Sequence, residues 1–436
     1  MKIKRKNRSF DEILSIPAPA HRRPQKPWML FRCLIRVLSI PDMLATSFTF
    51  TKHRMEEAGE GPYLILMNHS SFIDLKIAYR IFFPKPFCIV CTSDGFVGKN
   101  WLMRKLGCIP TRKFVTDIGL IGDILHAIRK ERLSVLMFPE ASYSFDGTAT
   151  PLPRRLGKLL KKLDVPVVMV KTEGAFLRNP LYNELQQRKV KVSAEVSCLL
   201  TREEIQTLPA DRLDEILDEA FTFDHFATQK EKQIPVAEEF RADGLERILY
   251  RCPHCQAEGT TLGKGTRLTC SACGKEYQMD IFGVLSATDG RTAFSHIPDW
   301  YRWERETVRE EILRGTYRIE SDVEIGIMAD YKAIYMVGKG HLTHTAEGFT
   351  LTGCDGKLHY IQPAQNSYSL YADYFWYEVG DVICIGNHQR LYYCFPLDKI
   401  PVAKARLAAE EIFKIARAEK KADRPETAPS PAPLSV

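Results

Sequence analysis

Between residues 63 and 200 the chain repeats one pattern. A short apolar run is followed by a polar cluster and then by a stretch with helical spacing. The runs are Tyr63–Met67 (YLILM), Phe87–Cys91 (FCIVC), Ser134–Phe138 (SVLMF), Val165–Val170 (VPVVMV) and Val190–Val196. Runs of this length without alternation fit strands buried on both faces. Helical periodicity covers Asp117–Lys130 and Leu156–Leu163. Strand–helix alternation predicts an α/β unit, a mixed sheet flanked by helices, over residues 28–225. Thr201 with Glu204 reads as a capping box opening a charged helix at its end.

The rest of the 436 residues reads differently. Residues 1–27 are basic and Pro-rich, and are expected to be a disordered arm. A polar connector is expected at 226–245. Two Cys pairs mark a small unit at 246–285. Residues 299–420 carry a charged helix (Asp299–Arg314), then Tyr-rich, Gly-punctuated alternation, then an amphipathic helix (Ala403–Arg417). That pattern predicts a β meander resembling a PH-like fold. Residues 421–436 are Pro/Ala/Ser-rich and expected to be disordered.

The net charge of +7 comes from 61 Lys+Arg against 54 Asp+Glu. Residues 1–36 hold ten basic side chains and two acids, so the remainder is nearly neutral. A basic arm on a neutral body suits an anionic surface and speaks against an extended nucleic-acid groove. No secretory leader is expected, because Pro17, Pro19, Pro24 and Pro27 interrupt the apolar stretch one would need. Trp28–Leu44 contains Arg32, Arg36, Pro41 and Asp42, too polar to span a bilayer. Arg32 and Arg36 share one helical face, with Trp28, Phe31, Leu34, Ile35 and Leu38 on the other. Such a helix either lies in a headgroup layer or packs on a core with its Arg face solvated.

Four polar clusters carry the chemistry. Asn68-His69-Ser70-Ser71-Phe72-Ile73-Asp74 follows the first strand, and a His with a carboxylate one turn away makes an oriented base. Gly107-Cys-Ile-Pro-Thr-Arg112 lies beside an apolar stretch. Phe138-Pro139-Glu140-Ala141-Ser142 follows the third strand, and Val165-Pro166-Val167-Val168 opens the fourth. In this order, over about residues 50–200, they resemble the 1-acyl-glycerol-3-phosphate (lysophosphatidic acid) acyltransferase family. The resemblance implies that His69 is the general base and Asp74 its orienter, that Arg112 holds the acceptor's phosphate, and that Glu140 holds its glycerol part. Asn68, Gly107, Pro139 and Ser142 join them as substrate-binding positions. Backbone N–H groups near Ser70 and Ser71 are candidates for the oxyanion donors. Acyl-CoA or acyl-carrier protein would be the donor, a lysolipid the acceptor, and no catalytic metal would be needed. Peripheral attachment to the cytoplasmic side of a membrane is expected, through the basic arm and residues 28–44. The chain departs from the family's third block in having Ala141 and Tyr143 where Gly and Arg are usual, which leaves the acceptor open.

Cys252-Pro-His-Cys255 and Cys270-Ser-Ala-Cys273 are separated by fourteen residues. Two such knuckles fit four-thiolate zinc, a closed and therefore structural coordination. The unit resembles a zinc ribbon; being nearly neutral, it is not expected to bind nucleic acid. The competing reading is a membrane-associated scaffold in which the zinc ribbon and β domain carry the function.

Overall fold

The computed structural model describes residues 2–115 and 117–422. It contains three sheets. The first has seven strands in the order Thr49–His53, Ser193–Leu200, Val167–Glu173, Leu64–Met67, Ser134–Met137, Phe87–Thr92, Cys108–Thr111. Every pairing is parallel except that of Val167–Glu173 with Ser193–Leu200. The sheet is mixed, as the alternation predicted. Leu64–Met67 is buried throughout, which is why it reads as an unbroken apolar run. Helices Ile73–Phe82, Ile118–Arg129 and Leu156–Leu163 cover the faces. The Thr201 capping box is formed, with both reciprocal hydrogen bonds present.

The register of this sheet sets up the site. Leu66 lies opposite Met137 on adjacent parallel strands. Three residues further on, the two chains leave the sheet side by side, at His69 and Glu140. Adjacent carboxyl ends are where open α/β sheets collect their ligands.

The second sheet is a four-stranded antiparallel meander, Thr261–Lys264 to Leu285–Ala287, built around the four paired cysteines. The third has eight strands, seven of them antiparallel. Ile319–Ile327, Ile334–Thr345, Gly348–Gly353 and Leu358–Pro363 form one meander; Tyr371–Trp376, Gly380–Gly386 and Leu391–Pro396 form another, joined through the first and last of these strands. Helix Val402–Ala422 follows.

Three expectations are corrected. The N-terminal arm is not disordered. Arg5–Asn7 pairs in parallel with Ile334–Met336, and helix Phe10–Leu14, with its own Ser9 capping box, buries Phe10 and Ile13. The cause is a length mismatch: the 12-residue strand Ile334–Thr345 meets its hairpin partner only from Gly340 onward. Its first residues would otherwise expose unpaired backbone, and Arg5–Asn7 covers them. The connector is not a solvated linker either. Helix His225–Glu231 opens it, and Val236, Ala242 and Leu245 enter a core shared with Phe176, Tyr182, Leu268, Trp300 and Val323. The acyltransferase-like unit, the cysteine unit and the β domain thus share buried apolar surface. The tail expected at 421–436 lies outside the described residues from 423 onward.

The third correction concerns Trp28–Leu44, which forms two helices, Met29–Leu38 and Ile40–Ala45. The core-packing alternative puts both Arg residues on a solvated face, yet Arg32 is only 7% exposed. The apolar side faces outward instead: Leu30 is 70% and Leu44 74% exposed, with Leu34, Val37 and Leu38 also open. Among the described residues, no helix is long and apolar enough to cross a membrane.

Candidate active site

The loop after Leu64–Met67 is folded around one carboxylate oxygen. Asp74 Oδ2 accepts from His69 Nδ1 at 3.0 Å, Ser70 N at 2.8 Å and Ser71 N at 3.0 Å. Asp74 is buried at the start of helix Ile73–Phe82, while His69 keeps one-fifth of its side chain exposed. The carboxylate can only accept from His69, so Nδ1 carries the proton and the Nε2 lone pair is left for a substrate. Burial pushes the imidazole below its usual pKa, against the opposing pull of Asp74. A neutral His69 at pH 7 is the form a general base requires. The Ser70 and Ser71 N–H groups, candidates for the oxyanion, are committed to Asp74.

Glu140 is fully buried, and both its oxygens meet main-chain donors: Oε2 the N–H of His69 and Oε1 that of Thr150, each at 3.0 Å. It ties the third cluster to the first and fixes the backbone of His69. It does not lie open to an acceptor's glycerol part, because burial leaves it no free face. Burial pushes its carboxyl up to about 7, against these hydrogen bonds. Ser144 N adds a second tie, to His69 O at 3.2 Å.

The other expected substrate-binding positions also have local work. Buried Asn68 accepts from Thr172 N at 2.8 Å and donates to Ser70 Oγ at 3.1 Å, linking neighbouring strands. Ser142 Oγ donates to Tyr143 O, and Pro139 is buried. Gly107 has φ +78°, and a Cβ there would stand 2.6 Å from Pro27 Cγ, so both conformation and space require glycine. Arg112 does not point its charge at a free space. Its Nη1 donates to the carbonyls of Asn387 (3.0 Å) and His388 in the β domain.

Sequence reasoning missed the covering of this site by the β domain. Tyr371 Oη and Trp376 Nε1 both donate to buried Asp94 Oδ2, the latter at 3.2 Å. Lys113 Nζ sits 4.2 Å over the Tyr371 ring, and Ser367 Oγ donates to Phe114 O at 3.0 Å. The segment 112–114 is thus held at three successive residues. No local pattern in residues 50–200 could have announced contacts supplied from residues 367–388.

The two departures from the family pattern are now explicit. Ala141 has φ +57°, a left-handed conformation that suits glycine and costs an L-residue about 1–2 kcal/mol. Phe138 stacks on His69 with ring centroids 4.0 Å apart, and the Tyr143 ring meets the imidazole at a tilt of 38°, 4.1 Å away. The His69 imidazole is therefore in contact with two aromatic rings, one of them where the family pattern has an Arg.

The four paired cysteines converge. Their sulfurs all lie within 4.8 Å of one another, with Cys252–Cys273 at 3.8 Å and Cys255–Cys270 at 3.7 Å. A tetrahedron with bonds of ~2.3 Å has edges of ~3.8 Å, and a disulfide would need ~2.05 Å. The donor set and spacing fit a tetrahedral metal ion.

Residues 48–172 match the Acyltransferase family. Over 165 residues the chain is 26% identical to the 1-acyl-sn-glycerol-3-phosphate acyltransferase of Saccharomyces cerevisiae, covering 36% of this chain and 52% of that protein. The chain thus spans about half the length of this curated relative. The crystal structure of the 1-acyl-sn-glycerophosphate (LPA) acyltransferase PlsC from Thermotoga maritima aligns with 44% of this chain and 76% of its own, at 16% identity and a TM-score of 0.35. With the four motifs in order, residues 48–172 thus match the Acyltransferase family model, and this part of the chain is similar in sequence to a 1-acyl-sn-glycerol-3-phosphate acyltransferase.

Proposed function

We propose that this protein transfers a fatty acyl group from a thioester donor, acyl-CoA or acyl-carrier protein, to the hydroxyl of a lysophospholipid, with lysophosphatidic acid the first candidate. The observation that carries the reading is the pairing of His69 Nδ1 with Asp74 at 3.0 Å, which leaves Nε2 as a base at the mouth of the sheet. Nε2 takes the proton of the acceptor hydroxyl as its oxygen attacks the thioester carbon. The tetrahedral intermediate collapses, the C–S bond breaks, and the imidazolium returns the proton to the leaving thiolate. Asp74 remains a carboxylate, and no acyl-enzyme forms.

Zinc in the four-cysteine site is a structural ion in this reading, since four thiolates leave no open position. The seven antiparallel strands followed by one helix support a PH-like reading of the last domain. A peripheral position on the cytoplasmic face of a membrane is supported by the outward apolar side of helix Met29–Leu38. The scaffold reading draws support from Arg112, whose charge is spent on backbone carbonyls. One experiment separates the two readings. Purified protein is given labelled acyl-CoA and a panel of lysolipids, beside its His69→Ala variant. A labelled product from the wild type alone supports the enzyme; equal activity in both, or none with any acceptor, sinks it.

A further inference from the structure

A basic pocket of about 270 Å³ opens beside the exposed apolar helix. Arg22, Arg23, Asn100, Trp101, Arg104 and Lys105 line it, four cations with no carboxylate among them. Its walls are fixed. Arg104 Nη1 donates to Arg22 O at 2.9 Å, and Trp28 N donates to Lys105 O at 3.0 Å. Pro27, in the same strap, packs on Gly107. Asp123, the acid that meets this strap, is already engaged by His21 and Arg23 at 3.0 and 3.1 Å. Two pocket residues carry buried polar atoms without a partner: Arg104 Nε, a donor, and Asn100 Oδ1, an acceptor.

The rim is apolar on one side. Trp101 is 61% exposed and stands edge-on to Trp28 and Phe31, with ring centroids 6.3 and 5.7 Å away. Lys105 Nζ lies 4.0 Å over the Trp28 ring. Leu30, Leu34, Val37 and Leu38 continue the exposed apolar surface from there. Cations next to an interfacial Trp pair and an open apolar helix match one chemistry: a phosphate carried on a lipid at the surface of a bilayer.

We propose that this pocket binds the headgroup of an anionic phospholipid, as a docking site separate from the reacting lipid's. The phosphate meets Arg22, Arg104 and Lys105, and Asn100 Oδ1 accepts from a headgroup hydroxyl. The inference rests on the peripheral-membrane reading and sharpens it, since it assigns the attachment to a built pocket in place of a loose basic arm.

The test is sedimentation of the full-length protein with vesicles of phosphatidylcholine, with and without 30% phosphatidylglycerol. Arg22→Ala with Lys105→Ala is expected to weaken binding to the anionic vesicles about thirtyfold, the loss of two cations facing an anionic surface. Lys158→Ala with Lys162→Ala removes the same charge elsewhere and is expected to change binding less than twofold. Equal weakening by both pairs, at matched melting temperatures, would mean diffuse attraction and would overturn the pocket. So would displacement of the protein by millimolar sn-glycerol 3-phosphate, which would make the ligand a soluble phosphate. Failure of the wild type to bind either vesicle would defeat the membrane reading, and the pocket with it.

Discussion

Two fully buried glutamates have been given opposite surroundings. Glu140, at the mouth of the parallel sheet, meets two backbone N–H groups and no cation in contact. Glu410, on the C-terminal helix, meets Arg305 at 2.7 Å, Arg406 at 3.3 Å and Ser369 Oγ at 2.7 Å. Burial raises Glu140 to about 7. Burial would raise Glu410 too, but Arg305 and Arg406 outweigh it and hold its pKa below the ordinary value. The difference separates two uses of buried charge. At the seam of the helices Ile297–Leu313 and Val402–Ala422, charge is neutralised pair by pair and joins elements. At the sheet mouth, polar groups hold one imidazole in place at the cost of leaving a carboxyl poorly solvated.

The sharpest way to break this contrast is to remove the imidazole. His69→Ala is expected to lower acyl transfer by about 10²–10⁴, with the melting temperature little changed. A large drop in melting temperature would show that the sheet mouth also bears stability. Glu410→Gln should do the reverse. It strands buried Arg406 and takes one of the two carboxylates from Arg305, which keeps Glu411 at 3.1 Å, and the expected loss is about 3 kcal/mol in denaturant unfolding. Activity per folded molecule should be retained.

The two glutamates should also differ in sign against pH. A carboxyl whose folded pKa is raised contributes stability below its unfolded value and loses it as pH rises through the folded one. For Glu140 the window is about 4.5 to 7. Melting temperatures of the wild type relative to Glu140→Gln should therefore fall across that range. Relative to Glu410→Gln they should rise with pH through the acidic carboxylate range, since a lowered pKa loses its stability as pH falls. The same slope for both pairs would erase the distinction. The smallest expected effect is Ala141→Gly, which relieves a left-handed alanine and should stabilise by about 1 kcal/mol. Activity should be unchanged unless the strain itself positions Tyr143.

Much of the sheet was legible because it depends on local pattern. The strand runs, the Thr201 capping box and the helix Leu156–Leu163 are each set by residues a few positions apart. The juxtaposition of His69 with Asp74 was legible for the same reason, being one helical turn. The cysteine cluster followed from spacing alone. What sequence could not give were roles decided by distant partners. Glu140 looks like a presented carboxylate until Thr150 and the His69 backbone claim both oxygens. Arg112 looks like a phosphate ligand until residues 387 and 388 arrive. Helix Met29–Leu38 is amphipathic in either orientation, and only packing decides that Arg32 turns inward. Polarity and proline suggested a loose arm at 1–27, but three residues suffice to fill a vacant strand edge.

That short strand has a consequence for how the molecule is made. Arg5–Asn7 leaves the ribosome well before its partner Ile334–Met336, which follows more than ~300 residues later. At about 5–20 residues per second the interval is roughly 15–65 s. Those three residues must wait, without this partner, while the sheet around His69 and the cysteine unit form. The closing stitch joins two segments of the nascent chain that are made far apart in time. It also draws residues 18–27 along the body on their way to Trp28. A truncated product lacking the last domain would thus leave this basic strand without its partner.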